Sequence, residues 1–422
     1  MINMNENRRV AVTGLGIVSS LGTGTAEVDA ALRAGRCGVV RSQEMTNLHL
    51  RSRVYAPVSG FAAETIDRKL RQTASPAALF ALEAGRQAVA AAGLNAEDLT
   101  GGRCGAIVGT CFSGLIDAFH NEKILAAGLP PSRVGAASAV RVMQSGPAAH
   151  LAVMFGLRGR VLGLSSGFSA GVDDLGYAYQ LIRRGVQDVV LAGSCEGPTY
   201  SLAGIPLDNA QALSSAFNDR PEEACRPYDQ QRSGLVLSEG AGIVVLEELG
   251  RARARGATIY GELVGYGSAN DGEDMFRPSG TGLDRAIAAA LAEAAEAGVE
   301  RIDYIKTHGT GTPLGDQIEI GTLRKRFGSH LADAPLVSSL KGHTGHGLGA
   351  CGGQESVYAL LMLQGGYVVP TRNLTEPDPA CTGVRHVPPG GVEKRLGSIL
   401  AFNVGFGGGN AAIVFRHPGE IV

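Results

Sequence analysis

Residues 161–176 read VLGLSSGFSAGVDDLG, and the fold follows from this stretch. Val161, Leu162 and Leu164 predict a buried strand, Ser165, Ser166 and Gly167 a tight turn, and the residues from Ser169 onward a helix. Ser169 is placed to cap that helix, and Asp173 and Asp174 fall in its first turns, where the peptide dipole favours anions. A strand that turns sharply into a helix lifts one side chain to a helix N-terminus. Backbone amides there lower the pKa of a thiol or hydroxyl, and many α/β enzymes keep a nucleophile at that point. Here the apex is Phe168, which has no atom that attacks.

Outward from the elbow, apolar strands alternate with helices in both directions. Strands are expected near 9–16, 106–110, 189–193, 240–249, 258–266, 304–306 and 336–340, with a closing hairpin of 398–403 and 411–415. Helices are expected at 25–35, 76–92, 114–125, 136–155, 172–184, 283–297, 316–327 and 349–363. Strands apolar on both faces predict mostly parallel sheets covered by helices, an α/β fold. Residues 1–250 and 251–422 each end in a pair of apolar strands, which points to an internal duplication of two similar halves.

Composition narrows the function. A net charge of −2 supplies no basic field for nucleic acid or an anionic membrane surface. No apolar run reaches the length of a membrane span, and the opening MINMNENRRVAVTG lacks a hydrophobic signal core, so a cytoplasmic protein is expected. The seven cysteines contain no CxxC pair, which argues for reduced thiols and against a zinc site or a disulfide framework. Gly14 and Gly16 lack the third glycine of a dinucleotide loop.

Two glycine-rich turns follow later strands: His308-Gly309-Thr310-Gly311-Thr312, and Lys341-Gly342-His343-Thr344-Gly345-His346-Gly347. Such turns carry little side-chain bulk on a rigid strand end, a good setting for His308 and His346 to meet a ligand. Glu319, one turn into the next helix, is placed to pair with Lys341, unless the two form an ordinary surface ion pair. The turn GFGGGN (405–410) brings Phe406, Gly407 and Gly408 to the same strand ends. Two neutral imidazoles donating to one carbonyl oxygen stabilise an enolate, as thioester chemistry requires. A carbon–carbon bond-forming site would add a thiol at the elbow to hold the acyl group, and that thiol is missing.

Together, VAVTGLGIVSSLG (10–22), the elbow, RPYDQQRSGLVLSEGAGIVVLEE (226–248), THGTGTPLGDQIE (307–319), SSLKGHTGHGLGA (338–350) and NVGFGGGNA (403–411) resemble the β-ketoacyl-acyl carrier protein synthases of the thiolase superfamily. The resemblance runs nearly end to end. It implies a duplicated five-layer α-β-α-β-α fold and an obligate dimer whose pockets are completed across the interface. It makes His308 and His346 the active-site histidines, Lys341 and Glu319 their supporting pair, and Phe406 the phenylalanine beside the malonyl site. It implies no cofactor and no metal, the acyl groups being carried on the phosphopantetheine of an acyl carrier protein. Arg68, Lys69 and Arg71 resemble the family's basic docking patch for that acidic carrier, or form a solvated helix end.

Two departures redirect the reading. The family's nucleophilic cysteine falls on Phe168, and Phe217 stands where an arginine is usual near the pocket mouth. A ketosynthase-like chain without its cysteine resembles the chain-length factors of type II polyketide synthases, which pair with a cysteine-containing ketosynthase and shape the acyl tunnel. Cys111, Phe112, Val142 and Met143 are the tunnel-lining candidates. Most such factors carry glutamine at the elbow and have lost one or both histidines; this chain keeps both. Decarboxylation of malonyl-carrier protein by the retained histidines is the alternative, with acyl transfer by Ser166 or Ser169 a variant of it and a pocketless scaffold the third class.

Overall fold

The computed structural model describes residues 8–328 and 333–420. Residues 1–7, on which the reading of the N-terminus partly rests, lie outside them. No helix among the described residues is long and apolar enough to cross a membrane.

Ten strands make the frame: β1 (Val10–Ser19), β2 (Cys104–Gly109), β3 (Val161–Leu162), β4 (Val189–Glu196), β5 (Gly240–Glu248), β6 (Gly261–Asn270), β7 (Tyr304–Lys306), β8 (Leu336–Ser338), β9 (Ser398–Val404) and β10 (Gly409–Arg416). The first five lie in the order β1-β5-β4-β2-β3 and the second five in the order β6-β10-β9-β7-β8. In each run the first two pairings are antiparallel and the last two parallel. The chain thus traces one topology twice. A short antiparallel pairing of Val10–Val12 with Gly261–Leu263 joins the runs.

The expectation of mostly parallel sheets is corrected: the sheet is mixed. A short turn such as that between β9 and β10 can only return the chain antiparallel, and β5 likewise runs against both its neighbours.

Seven helices matter here: α1 (Pro76–Ala92), α2 (Leu115–Ala126), α3 (Gly146–Phe155), α4 (Ala170–Arg183), α5 (Thr281–Glu296), α6 (Pro313–Phe327) and α7 (Cys351–Gly365). Helix α1 begins where the Ser75 hydroxyl accepts from Ala78 N with Pro76 in the first turn, and ends at Gly93, whose φ of 63° suits glycine. It covers β1, β5 and β4 from outside, as α5 covers β6 and β10. Helices α4 and α7 form the middle layer and touch strands of both runs. Five layers, α-β-α-β-α, result. The middle layer closes through Leu175, Ile182, Val357, Tyr358, Leu360 and Met362, each such side chain contributing on the order of 1.5–3 kcal/mol on burial.

The expected helix over 136–155 is broken into Ser138–Arg141 and α3. Pro147 lacks an N–H and is tolerated only in a first turn, so the helix restarts there. The elbow strand is also corrected. It spans only Val161–Leu162 and is half-buried, because β3 is the last strand of its run and pairs only with β2.

Candidate active site

The elbow is a single 3-10 turn, Gly167–Ser169, leading directly into α4. Gly167 holds φ at 70°, a left-handed value that a larger residue adopts with strain. The N-terminal ends of α4 and α7 meet almost backbone to backbone: a Cβ on Gly352 would lie 2.4 Å from the Val172 nitrogen. Two small residues at this crossing bring the elbow beside the turn that carries His346.

Ser169 does not cap α4. Its hydroxyl proton is shared instead between the Ser166 carbonyl at 2.9 Å and Asp173 at 3.1 Å. Ser166 donates to the same Asp173 oxygen at 2.5 Å, and Tyr266 to the other at 2.8 Å. Both hydroxyls are therefore turned toward a carboxylate on α4. Asp174 is fully buried and takes Leu164 N; burial raises its carboxyl well above the usual range.

Phe168 is 8 % exposed and meets the His346 imidazole, behind which His308 stands. Its ring centroid lies 5.0 Å from that of His346 in an edge contact and 5.1 Å from that of Phe406. His346 and His308 stand 5.1 Å apart at 87°. Phe406 in turn meets Phe276, which is exposed, at 5.5 Å. An aromatic file thus runs from the surface to the histidines. Behind Phe168 lie Leu207, Leu213, Leu235, Leu237 and Leu348, with Cys111 and Phe112 packed against them. Val142 and Met143 lie in the break before α3, Met143 half-exposed, and neither belongs to this cluster.

The hydrogen bonds fix which nitrogen of each imidazole holds the proton. Leu348 N donates to His346 Nδ1 at 3.0 Å, so that nitrogen bears no proton and Nε2 does. The Cys351 thiol also lies 3.3 Å from this Nδ1. His346 Nε2 is buried and has no partner. His308 Nδ1 takes the Asn403 amide at 3.0 Å, and the same Nδ2 donates to Glu355 at 2.8 Å. A carboxylate only accepts, so the amide nitrogen is correctly oriented and His308 too carries its proton on Nε2. Burial, reinforced by the Lys341 charge, holds both rings well below the ordinary histidine pKa. They are neutral donors, the form that suits a developing oxyanion.

Lys341 is not held by Glu319; this corrects the expected pair. Its Nζ pairs with Glu355 on α7 at 2.5 Å and donates to the His308 carbonyl at 2.7 Å. Lys306, at the end of β7, pairs with the other Glu355 oxygen. Burial pushes the Glu355 carboxyl up, but the two ammonium groups overcome it and keep the group ionised. Glu319 has a different task. It accepts from Gly309 N at 3.0 Å and from the Tyr228 hydroxyl at 2.5 Å, while Asp316 accepts from Thr310 N and Gly311 N. The two carboxyls of α6 clamp the His308 turn. Burial raises Glu319 to about 7 and Asp316 to about 6.

Glu355, Asn403, Lys306 and Tyr228 were missed from sequence. The one visible signal was a glutamate inside CGGQESVYALLML, an otherwise uncharged buried helix. Glu196, also buried, receives the amides of Cys111 and Phe112 and so shapes the segment beside the elbow. Arg68 and Lys69 are exposed and Arg71 is half-buried, on a short helix capped by Asp67 at the surface.

The neutral imidazoles give a pH prediction. A histidine whose folded pKa is depressed stabilises the fold above its unfolded pKa of about 6.5 and loses that contribution as pH falls. Replacing His346 by Gln should therefore remove about 1.4 kcal/mol of the wild type's acid-side loss between pH 7.5 and pH 5.5. Urea unfolding of both proteins at the two pH values checks it; equal losses would contradict the assignment.

Residues 7–252 match the family described as "Beta-ketoacyl synthase, N-terminal domain", and residues 260–375 match "Beta-ketoacyl synthase, C-terminal domain". The chain is 39 % identical over 419 residues to a 3-oxoacyl-[acyl-carrier-protein] synthase 1 of Escherichia coli K12, covering 97 % of this chain and 99 % of that one. Among solved structures it superposes on a β-ketoacyl synthase from Burkholderia phymatum with a TM-score of 0.90 at 35 % identity, covering 97 % of this chain and 99 % of that one. A type II polyketide synthase ketosynthase in complex with its acyl-carrier protein gives a TM-score of 0.89 at 30 % identity, covering 97 % and 100 %. The ishigamide ketosynthase/chain length factor gives 0.87 at 30 %, covering 97 % and 99 %.

Proposed function

The chain belongs to the β-ketoacyl synthase family, and from that premise we propose that it is a non-condensing partner subunit, a chain-length factor of a type II polyketide synthase. One observation carries the reading: Phe168, an inert ring, occupies the elbow beside His346, the nearer of the two paired imidazoles. Condensation needs the growing acyl group held covalently while the extender's carbanion forms, and no side chain at the apex can hold it. The two elbow hydroxyls, Ser166 and Ser169, are engaged with Asp173. A cysteine-containing ketosynthase would supply the thiol, and this chain one wall of the acyl tunnel. Phe112 and Cys111, packed against the Phe168 cluster, are the wall's contributions from this chain. The similarity to a ketosynthase/chain length factor structure supports the pairing. Exposed apolar side chains on α2 and just after it, Leu115, Phe119, Leu125 and Leu129, give a partner an apolar surface to cover. Arg68, Lys69 and Arg71 would meet an acidic acyl carrier protein.

A second reading has its own observation. Both Nε2–H groups are retained, and His346 Nε2 has no partner. A malonyl thioester placed against them would break its carboxylate C–C bond and release carbon dioxide. The electron pair would pass to an enolate oxygen held by the two donors, and a proton from water would complete an acetyl thioester.

Co-expression with a cysteine-containing ketosynthase tests the first reading. A stable one-to-one complex is expected, whose product length changes when Phe112 is enlarged to tryptophan. A homodimer that condenses acyl and malonyl carriers by itself would overturn it. Carbon dioxide released from malonyl-carrier protein by this chain, and lost in His346→Gln, would establish the second.

A further inference from the structure

Lys306 is as deeply buried as any core residue, with a side chain 1 % exposed, yet it touches neither imidazole. Its ammonium pairs with Glu355 and donates to the Phe402 carbonyl at 2.9 Å. Lys341 holds the other oxygen of the same carboxylate at 2.5 Å. One glutamate therefore answers two ammonium groups, and the trio carries a net charge of +1. Burying an extra cation is costly, and an apolar side chain of similar volume would serve packing as well. The oxygen of Glu355 that Lys306 holds also accepts from Asn403, whose amide fixes the Nδ1 side of His308.

We propose that Lys306 is a positioning residue of the imidazole pair: its charge makes the buried cluster behind His308 and His346 net positive, which keeps both rings unprotonated and their Nε2–H groups available to an anion. The ionisable groups packed around the pair are Lys341 and Glu355, the Cys351 thiol on α7, Asp316 and Glu319 on α6, and the Tyr228 hydroxyl. Asp316 and Glu319 are occupied by the amides of the His308 turn, Asp316 also by Tyr228 N and Glu319 by the Tyr228 hydroxyl. Without Lys306 the cluster becomes a neutral pair of Lys341 and Glu355, and the imidazoles gain affinity for a proton. This inference rests on the histidines being neutral donors. It holds whether the chain acts as a partner subunit or as a decarboxylase.

The test reads the rings and not turnover, so its failure is separable from failure of the proposed function. The full chain, labelled with ¹⁵N at histidine and studied in whichever complex it forms, is titrated by NMR from pH 8 to pH 5.5, with His308→Gln and His346→Gln assigning the signals. The wild type should show Nε2–H tautomers and no protonation of either ring across this range. In Lys306→Met and Lys306→Gln at least one of the two rings should take up a proton within this range, and Lys306→Arg should restore the wild-type behaviour. Lys306→Gln keeps a hydrogen bond to Glu355 and serves if the methionine variant does not fold. Folded variants that titrate as the wild type does would overturn the proposal. So would loss of folding in all three, which would make Lys306 a structural cation only.

Discussion

Phe168→Cys should gain what the wild type lacks: a covalent acyl adduct after incubation with a carrier protein bearing an acyl thioester, whose thiol leaves as the adduct forms, rising from none to most of the chain. The substitution removes a ring 5.0 Å from that of His346 and leaves a thiol at the first turn of α4, where backbone amides favour the thiolate. The remaining parts are already in place. Both imidazoles carry Nε2–H, Lys341 braces the His308 carbonyl, and Phe406 borders the cavity that the lost ring would leave. The variant should also be less stable, by about 2–4 kcal/mol, because the leucines behind Phe168 would border an unfilled space. Intact mass reports the adduct and urea unfolding the stability. A folded Phe168→Cys variant whose new thiol reacts with a small alkylating agent yet is never acylated would show that the site had lost more than its nucleophile.

Glu355→Ala should be the most damaging single change to the fold near the site. It leaves the ammonium groups of Lys306 and Lys341 buried together without their shared counter-charge. Breaking a buried pair from one side costs about 3–5 kcal/mol, and here two cations are stranded. A loss of that size is a large share of the roughly 5–15 kcal/mol that holds a typical domain, so the variant should unfold at much lower urea or fail to accumulate. Glu319→Ala is the informative comparison. It removes the clamp on Gly309 and Tyr228 but strands no cation. It should cost clearly less, whereas a larger loss in Glu319→Ala would contradict Glu355 as the counter-charge on which the cluster depends.

That pairing shows where sequence reading stopped. The strands of both runs were legible because their residues are apolar on both faces, and the histidine turns because glycine and threonine surround them. Glu319 and Glu355 each lie within a few turns of a histidine. Which one meets Lys341 depends on α7 standing in the middle layer while α6 lies outside, a tertiary fact with no local signature. Likewise Val161 and Leu162 look like any core strand, and their partial exposure follows only from their place at the end of the strand order. Lys306 reads as an ordinary strand-end cation until Phe402 and Glu355 are seen around it. Ser169 has the identity of a cap, but its backbone is already helical as the end of the 3-10 turn, so its oxygen is not placed to accept from the first amides and its hydroxyl turns to Asp173.

The most direct measurement is the intact mass of each subunit after the wild-type chain, alone and with a cysteine-containing ketosynthase, is given a carrier protein loaded with an acyl thioester. No acyl adduct should appear on this chain under either condition, and the adduct should form on the ketosynthase alone. An acyl group found on this chain, at Ser166, Ser169 or any cysteine, would contradict the account.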